Sequence, residues 1–485
     1  MKALMTSETV TLQHLNDVYC RLVCDTSTLY ELSDNFTFTI PNARFHPKVK
    51  ARIWDGKIRL VDMYKQRVYH GLSAHIEDFC KDRGYRCENL LRADAPYSVV
   101  EAEDHIARFT PAGITPRPYQ TDSFIHCVRK RRSLFVSPTA SGKSLIIYWL
   151  ARYYQGKILL IVDSVSLANQ MYSDFKSYGM DPAYAHMIYS GKERNVDCPI
   201  TITTWQTAVK LPKAWFAQYR TVIGDEAHKY KAKSLVDIMT RLEDCPHRFG
   251  FTGSLDGSLS NKMVLEGLFG PFKQIVTTKD LMDQGHVSPL EIKCIVLKHQ
   301  EAERKACKGH KYIEEVEHLV MHEKRNRFIK NLALSLTGNT LLLFRWVDKH
   351  GEPLYEAIKP VCKIPLHYVS GKVDGEDREA IRQIVSASDQ NLLIASIGTF
   401  ATGINIPNIN NIILASPTKS RIQIVQSIGR GLRLAQNKTH CTLYDLADDL
   451  SWKSKVNHTL SHFADRVKVY NQEKFNYRIY NVELT

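Results

Sequence analysis

The sequence predicts an α/β chain: two parallel-sheet domains in tandem behind a small α+β unit. Three observations carry this. Short apolar runs such as 158–162 and 341–344 alternate with amphipathic segments such as 165–178 and 378–386. That is the pattern of strands buried on both faces and covered by helices. The alternation occurs twice in series, over 113–285 and again over 286–450. The first 95 residues lack it, with short alternating strands at 36–40 and 58–62 and a short helix at 75–83.

The elements follow in order. Residues 1–95 form the small unit. Residues 96–112, with Pro96 and Pro111 and just ahead of Gly113, are expected to be a linker. In 113–285 the strands are 134–137, 158–163, 200–204 and 221–224, with helices at 144–154 and 165–178. In 286–450 they are 341–344, 392–395 and 412–415, with helices at 378–386 and 420–428. Residues 451–485 are expected to be a helical, basic extension.

Composition bounds the function. The 485 residues carry 65 Lys and Arg against 51 Asp and Glu, a formal charge of +14, with 44% hydrophobic and 24% charged residues. The length suits about three domains at roughly 150 residues each, and the balance excludes a mainly disordered chain. The basic excess favours a polyanionic partner. No apolar run approaches the ~20 residues that span a bilayer, and the N-terminus has no apolar signal core. The expectation is a cytoplasmic protein without a membrane partner. The 11 cysteines are dispersed without a Cys-x-x-Cys pair, which suits free thiols in a reducing compartment.

The strongest local signal is a phosphate loop. The strand at 133–137 runs through Pro138, Thr139, Ala140, Ser141, Gly142, Lys143 and Ser144 into an apolar helix. Backbone N–H groups at a helix start offer partial positive charge to phosphates. Gly142 permits close approach, Lys143 supplies a mobile charge to the β- and γ-phosphates, and Ser144 offers a hydroxyl to Mg²⁺. Ser137 departs from the strict pattern, which has glycine there. About 20 residues upstream lie Arg117, Pro118, Tyr119 and Gln120; a side-chain amide such as that of Gln120 can read adenine. Asp225 and Glu226 close an apolar strand, where α/β sheets bind ligands. Asp225 is expected to hold Mg²⁺ and Glu226 to activate the attacking water.

These residues join others in a recognisable order. The quartet 225–228, Asp-Glu-Ala-His, is followed by Thr252 and Ser254, then Gly403 and Asn405, then Gln426, Arg430 and Arg433 in a Gln-x-x-Gly-Arg-x-x-Arg element. The chain from 115 to 435 resembles the superfamily 2 helicases and translocases. The resemblance implies two RecA-like domains with ATP in the cleft between them. It implies that His228, Thr252 and Ser254 couple hydrolysis to motion, that Gly403 contacts nucleotide, and that Gln426, Arg430 and Arg433 serve catalysis, the arginines as fingers. Asn405 stands where many relatives are acidic. The N-terminal stretch from Arg44 to Leu60, with Thr204, Trp205 and Gln206, is similar to phage UvsW-type recombination helicases. That implies a DNA partner, branched or containing single strands, with RNA–DNA hybrids as a further substrate. It also implies roles in recombination, replication and repair, and the cytoplasm of an infected host. A monomer is the expected state.

In the N-terminal unit, 44–67 holds eight basic residues against two acidic, interleaved with aromatics. Lys48, Lys50, Arg52, Trp54, Lys57 and Arg59 are the expected nucleic-acid contacts, Trp54 by stacking. Two weaker signals have plainer readings. Cys307, His310, His318 and His322 have zinc-like spacing, yet the stretch also reads as a charged helix with the histidines as neighbours on a turn. Residues 129–132 read as surface. Alternatives to a DNA motor are an RNA helicase, a restriction-type translocase subunit, and a non-hydrolysing clamp switched by nucleotide. The absence of a nuclease motif and the intact Lys143, Asp225, Glu226, Arg430 and Arg433 argue against the latter two.

Overall fold

The computed structural model describes residues 8–40, 43–138, 140–189, 197–226, 228, 233–253, 258–371, 373, 375–399, 406, 408–417, 428–429, 431–435 and 438–484. The chain divides into two compact units: Met1–Ser137 with Gly142–Ile275, and Val276–Thr485 with Pro138–Ser141.

Each unit is built on a seven-stranded parallel sheet. The first contains Arg132–Val136, Lys157–Val162, Ala185–Ile188, Ile200–Thr204, Tyr219–Asp225, His247–Thr252 and Phe272–Gln274. The second contains Leu290–Lys298, Asn339–Phe344, Leu366–Val369, Leu392–Ser396, Ile409–Leu414, Cys441–Asp449 and Tyr477–Glu483. Numbered along the chain within each sheet, the strands lie side by side in one order, 3-4-2-5-6-1-7, in both. Central strands are buried along their length, Asn339–Phe344 at every residue, as a sheet covered on both faces requires.

The N-terminal unit is a five-stranded mixed sheet plus a two-stranded antiparallel sheet. The expected strand at 58–62 divides. Lys57–Arg59 pairs with Thr37–Thr39 in the small sheet, and Val61–Asp62 joins the larger one. Leu60 between them is buried. This unit shares one apolar core with a face of the first parallel sheet: Val10, Leu12, Leu72 and Ile76 pack in the same cluster as Leu134, Leu159, Val222 and Leu268. The backbones meet closely. A Cβ on Gly71 would lie 2.0 Å from the Glu266 carbonyl oxygen, so only glycine fits. His75 Nε2 sits 3.0 Å from the buried Glu266 carboxylate, and this hydrogen bond raises the His75 pKa.

Three expectations change. The stretch 96–112 contains a helix, Val99–Phe109, closed by a Ser98–Glu101 capping box, with Ala102 and Ile106 buried in the first unit's core. Its apolar spacing at 102 and 106 is that of a packed helix face. The C-terminal extension holds a helix, His458–Gln472, and a strand, Tyr477–Glu483, which pairs with Leu290–Lys298 as the seventh strand. Its helix is pinned by Arg466, buried and ion-paired with Asp445, and by the Tyr470 hydroxyl on the same carboxylate. Arg132, expected on the surface, opens a fully buried strand; its guanidinium donates to the Asp17 carbonyl at 2.7 Å. Burial and the neighbouring Arg248 push its pKa down to about 9. The helix expected at 420–428 lies almost wholly outside the described residues. All 11 cysteines are free. Among the described residues no helix is long and apolar enough to cross a membrane.

Candidate active site

Strand register brings three chain segments to one edge of the first sheet. Val136 pairs with Thr252, and Phe251 pairs with Asp225. The phosphate loop, the 252 turn and the acidic pair therefore leave neighbouring strands at their C-terminal ends, the ligand-binding edge of such sheets.

The loop is held by its own side chains. Ser137, the departure from glycine, is fully buried; its N–H donates to the Thr252 carbonyl at 2.9 Å. Lys143 Nζ donates to the Ser137 carbonyl at 3.0 Å, and Ser141 Oγ to the Pro138 carbonyl at 2.7 Å. Gly142 adopts φ +77°, and a Cβ there would sit 2.2 Å from Gln120 Nε2. It precedes the helix Lys143–Tyr153, whose first N–H groups no side chain caps. Ser144 Oγ lies 2.9 Å from the Tyr178 hydroxyl, a partner that no motif signals. Ala140 and Glu226 also hold left-handed backbones, φ 66° and 55°, costly for residues with a Cβ and characteristic of functional turns.

Gln120 is buried and committed within the fold. Its Oε1 accepts from the Arg117 N–H at 2.9 Å and its Nε2 points to the Gly142 carbonyl at 3.5 Å. Arg117 in turn donates to the Tyr119 hydroxyl at 2.7 Å. The amide thus braces the phosphate loop.

Asp225 is buried, and desolvation, reinforced by the adjacent Glu226 charge and opposed by Lys143, pushes its pKa up to about 6. A carboxylate so destabilised by burial gains most from a cation. Its Oδ1 accepts the Glu226 N–H at 3.0 Å. His228 Nδ1 lies 3.2 Å from Glu226 Oε2 and 2.8 Å from Thr252 Oγ1. One ring nitrogen therefore connects the acidic pair to the end of the sixth strand. Thr139, Ser254, Gly403, Gln426 and Arg430 lie outside the described residues. Arg433 is half-buried, and its carbonyl accepts from Ser288 Oγ and from Lys438 Nζ. Lys438, which no motif singled out, also reaches the Gly431 carbonyl; burial lowers its pKa to about 8.

In the N-terminal unit, Lys48, Lys50, Arg52 and Lys57 are exposed and, among the described residues, make no ion pair. Arg59 is paired with Asp55, both exposed. Trp54 is half-buried: its indole N–H donates to the Lys57 carbonyl at 3.0 Å and its ring packs edge-on to His46. The exposed rings nearby are Phe45, with the Arg44 guanidinium over it at 4.7 Å, and Tyr64, 95% exposed.

Two sheets of one strand order, with a phosphate loop, an acidic pair and its linked histidine at the edge of the first, define an ATP-dependent helicase of the two-RecA-domain class. The sequence matches family models for "DNA helicase UvsW, N-terminal" over residues 10–88, "Type III restriction enzyme, res subunit" over 113–256 and "Helicase conserved C-terminal domain" over 323–435. It is 35% identical to the ATP-dependent DNA helicase uvsW of Enterobacteria phage T4, across 97% of this chain and 99% of that protein. The crystal structure of T4 UvsW aligns over 98% of this chain and all of that one at 32% identity, TM-score 0.52. Yeast Dbp5 bound to RNA and ADP BeF3 aligns over 79% of this chain and 93% of that one at 12% identity and TM-score 0.53, a likeness of fold alone. The chain belongs to the UvsW family of DNA helicases.

Proposed function

We propose that the chain uses ATP with Mg²⁺ to remodel branched DNA: fork regression, branch migration of four-way junctions, and unwinding of D-loops and R-loops. The observation that carries this is the N-terminal unit. It is fused to the first sheet through one apolar core and presents an exposed basic arm at Lys48, Lys50, Arg52 and Lys57. A motor tracks phosphates that every duplex offers; junction preference needs a second surface rigidly displaced from the first. Phe45 and Tyr64, rather than the committed Trp54, are the rings available to stack on an unpaired base.

At the nucleotide, Lys143 supports the β- and γ-phosphates, and Ser144 and Asp225 fit a Mg²⁺ shell of hydroxyl and carboxylate oxygen. Glu226 orients and activates water. His228 and Thr252 relay the change along the bond they share, and Ser254 is assigned to the same coupling. Gln426, Arg430 and Arg433 supply the charge that develops in the transition state, and Gly403 contacts nucleotide. Gln120 senses adenine through the same amide that braces Gly142. The testing experiment compares ATPase stimulation by fork, four-way junction, R-loop, linear duplex and single-stranded RNA. Branched DNA is expected to stimulate most; equal stimulation by all, or most by RNA, overturns the reading.

A further inference from the structure

The second sheet repeats the strand order of the first, so it has an edge equivalent to the one that carries the phosphate loop. There the first strand, Leu290–Lys298, ends beside the sixth, with Lys298 opposite Asp449. The residue that follows is His299. We propose that His299, His318 and His322, with Glu303, form a zinc site at this edge.

The three histidines offer ligand nitrogens that all lie within 4.8 Å of one another. Their rings come from separate elements: His299 from the strand end, His318 from the helix Tyr312–Met321, and His322 from the cap of the helix Glu323–Ser335. His299 is buried, and its Nε2 lies 3.1 Å from the buried Asp448 Oδ1. A carboxylate on the far nitrogen is the partner that orients a metal-bound imidazole. The near nitrogen, Nδ1, faces Glu303 at 3.3 Å, and His322 Nε2 faces the other oxygen of the same carboxylate at 2.9 Å. Glu303 thus bridges two of the three rings, His299 and His322. His318 Nε2 is buried and makes no hydrogen bond. A buried polar atom without a partner costs free energy, and a cation among these groups would use it.

Three imidazoles and one carboxylate suit Zn²⁺, which is bound tetrahedrally at about 2.0–2.2 Å. Such ligands stand about 3.4 Å apart, so the rings must close inward from their present spacing. One contact opposes the site. His322 Nδ1 accepts the Arg325 N–H at 3.1 Å, which leaves the ring proton on Nε2. Ligation through Nε2 moves that proton to Nδ1 and gives up the cap, one hydrogen bond against the new metal–ligand bonds. Of the four residues with zinc-like spacing in sequence, His318 and His322 belong to this cluster. Cys307 packs against Leu319 and Leu450 in a small apolar cluster. His310 stands beside His318, ring centroids 6.4 Å apart, outside the converging three.

The test uses the full chain, tag removed and chelator-stripped, titrated with Zn²⁺ and separately with Co²⁺. The expected result is one Zn²⁺ per chain, a raised Tm on addition, and the visible bands of tetrahedral Co²⁺. His318→Ala, which removes a nitrogen that makes no hydrogen bond, is expected to weaken binding at least about tenfold, the loss that even an outer partner of a ligand can cause. Cys307→Ser is expected to bind as the parent does. No tetrahedral Co²⁺ spectrum in the parent overturns the site and leaves His299 as a hydrogen-bonded link between Asp448 and Glu303. Zinc bound equally by His318→Ala, or lost in Cys307→Ser, assigns the ion to other residues and overturns it as well.

Discussion

The two parallel sheets share one strand order and differ at their edges. In the first, strands one, five and six end in the phosphate loop, the acidic pair and Thr252. In the second, strands one and six end in His299, Asp448 and Asp449, with Arg325 buried against Asp448 at 2.9 Å. The two sheets share one hydrogen-bonded frame and differ in the residues at their strand ends. The frame sets where a ligand can sit; the residues at the strand ends decide which one.

If nucleotide chemistry belongs to the first edge, its largest test is Lys143→Ala. The amine donates to the Ser137 carbonyl, and its proposed charge serves phosphates, so ATP turnover is expected to fall to background while DNA affinity survives. Turnover near the parent rate breaks the comparison at its base. Glu226→Gln is expected to retain ATP binding and stop hydrolysis, because Asp225 remains; a loss of ATP affinity as large as the loss of turnover counts against a water-activating role.

The second unit is expected to contribute through Arg430. Arg430→Ala should lower kcat more than it raises KM, because its guanidinium is assigned to charge present only in the transition state. Loss of such a finger costs on the order of 10³ in rate. Steady-state ATPase kinetics decide it: an unchanged kcat removes the Gln-x-x-Gly-Arg-x-x-Arg element from catalysis.

Sequence made the repeated frame legible because the central buried strands carry unbroken apolar runs, as at 158–162 and 341–344. The phosphate loop and acidic strand were legible because their chemistry is local. What sequence missed is tertiary. Ser144 meets Tyr178 across 34 residues, Lys438 reaches back to the Gly431 and Arg433 carbonyls, and His299 joins His318 from a strand end. The Val99–Phe109 helix was hidden by the flanking prolines, although its capping box is written in Ser98 and Glu101. The seventh strand, Tyr477–Glu483, is largely exposed at the sheet edge, so it lacks the apolar run that marks a central strand.

Asp225 sharpens the first edge through pH. Its folded pKa of about 6 stands above the ordinary value of 3.8, chiefly because it is buried. The raised value means the folded protein holds this proton more tightly than the unfolded chain. The metal-free fold is therefore penalised above pH 6 and relieved as pH falls toward 3.8. The same proton competes with Mg²⁺, so Mg²⁺-dependent ATP affinity is expected to drop about tenfold between pH 7 and pH 5. Asp225→Asn should raise Tm at pH 8 in the absence of Mg²⁺ and abolish the Mg²⁺ dependence. Titrations of ATP analogue binding across pH measure this; a flat profile in the parent means that Asp225 does not hold the ion.

The smallest expected effect separates both sheet edges from the N-terminal arm. Lys48, Lys50, Arg52 and Lys57 are exposed, so exchanging all four for Ala removes surface charge without opening the shared core at Leu72 and Ile76. Each lost phosphate contact flattens the salt dependence of binding by about 0.9 in log–log slope on duplex and about 0.7 on single strands. Basal ATPase should be unchanged, because hydrolysis is assigned to the strand ends. Fork affinity should fall several-fold more than linear-duplex affinity, because only the fork has a second arm to lose. Affinities for both substrates, measured at several salt concentrations, read the two quantities together. A shallower slope with equal losses on fork and duplex makes the arm a general phosphate clamp. An unchanged slope makes it a solvated face, and branch recognition then has to come from Phe45 and Tyr64 or from the motor itself.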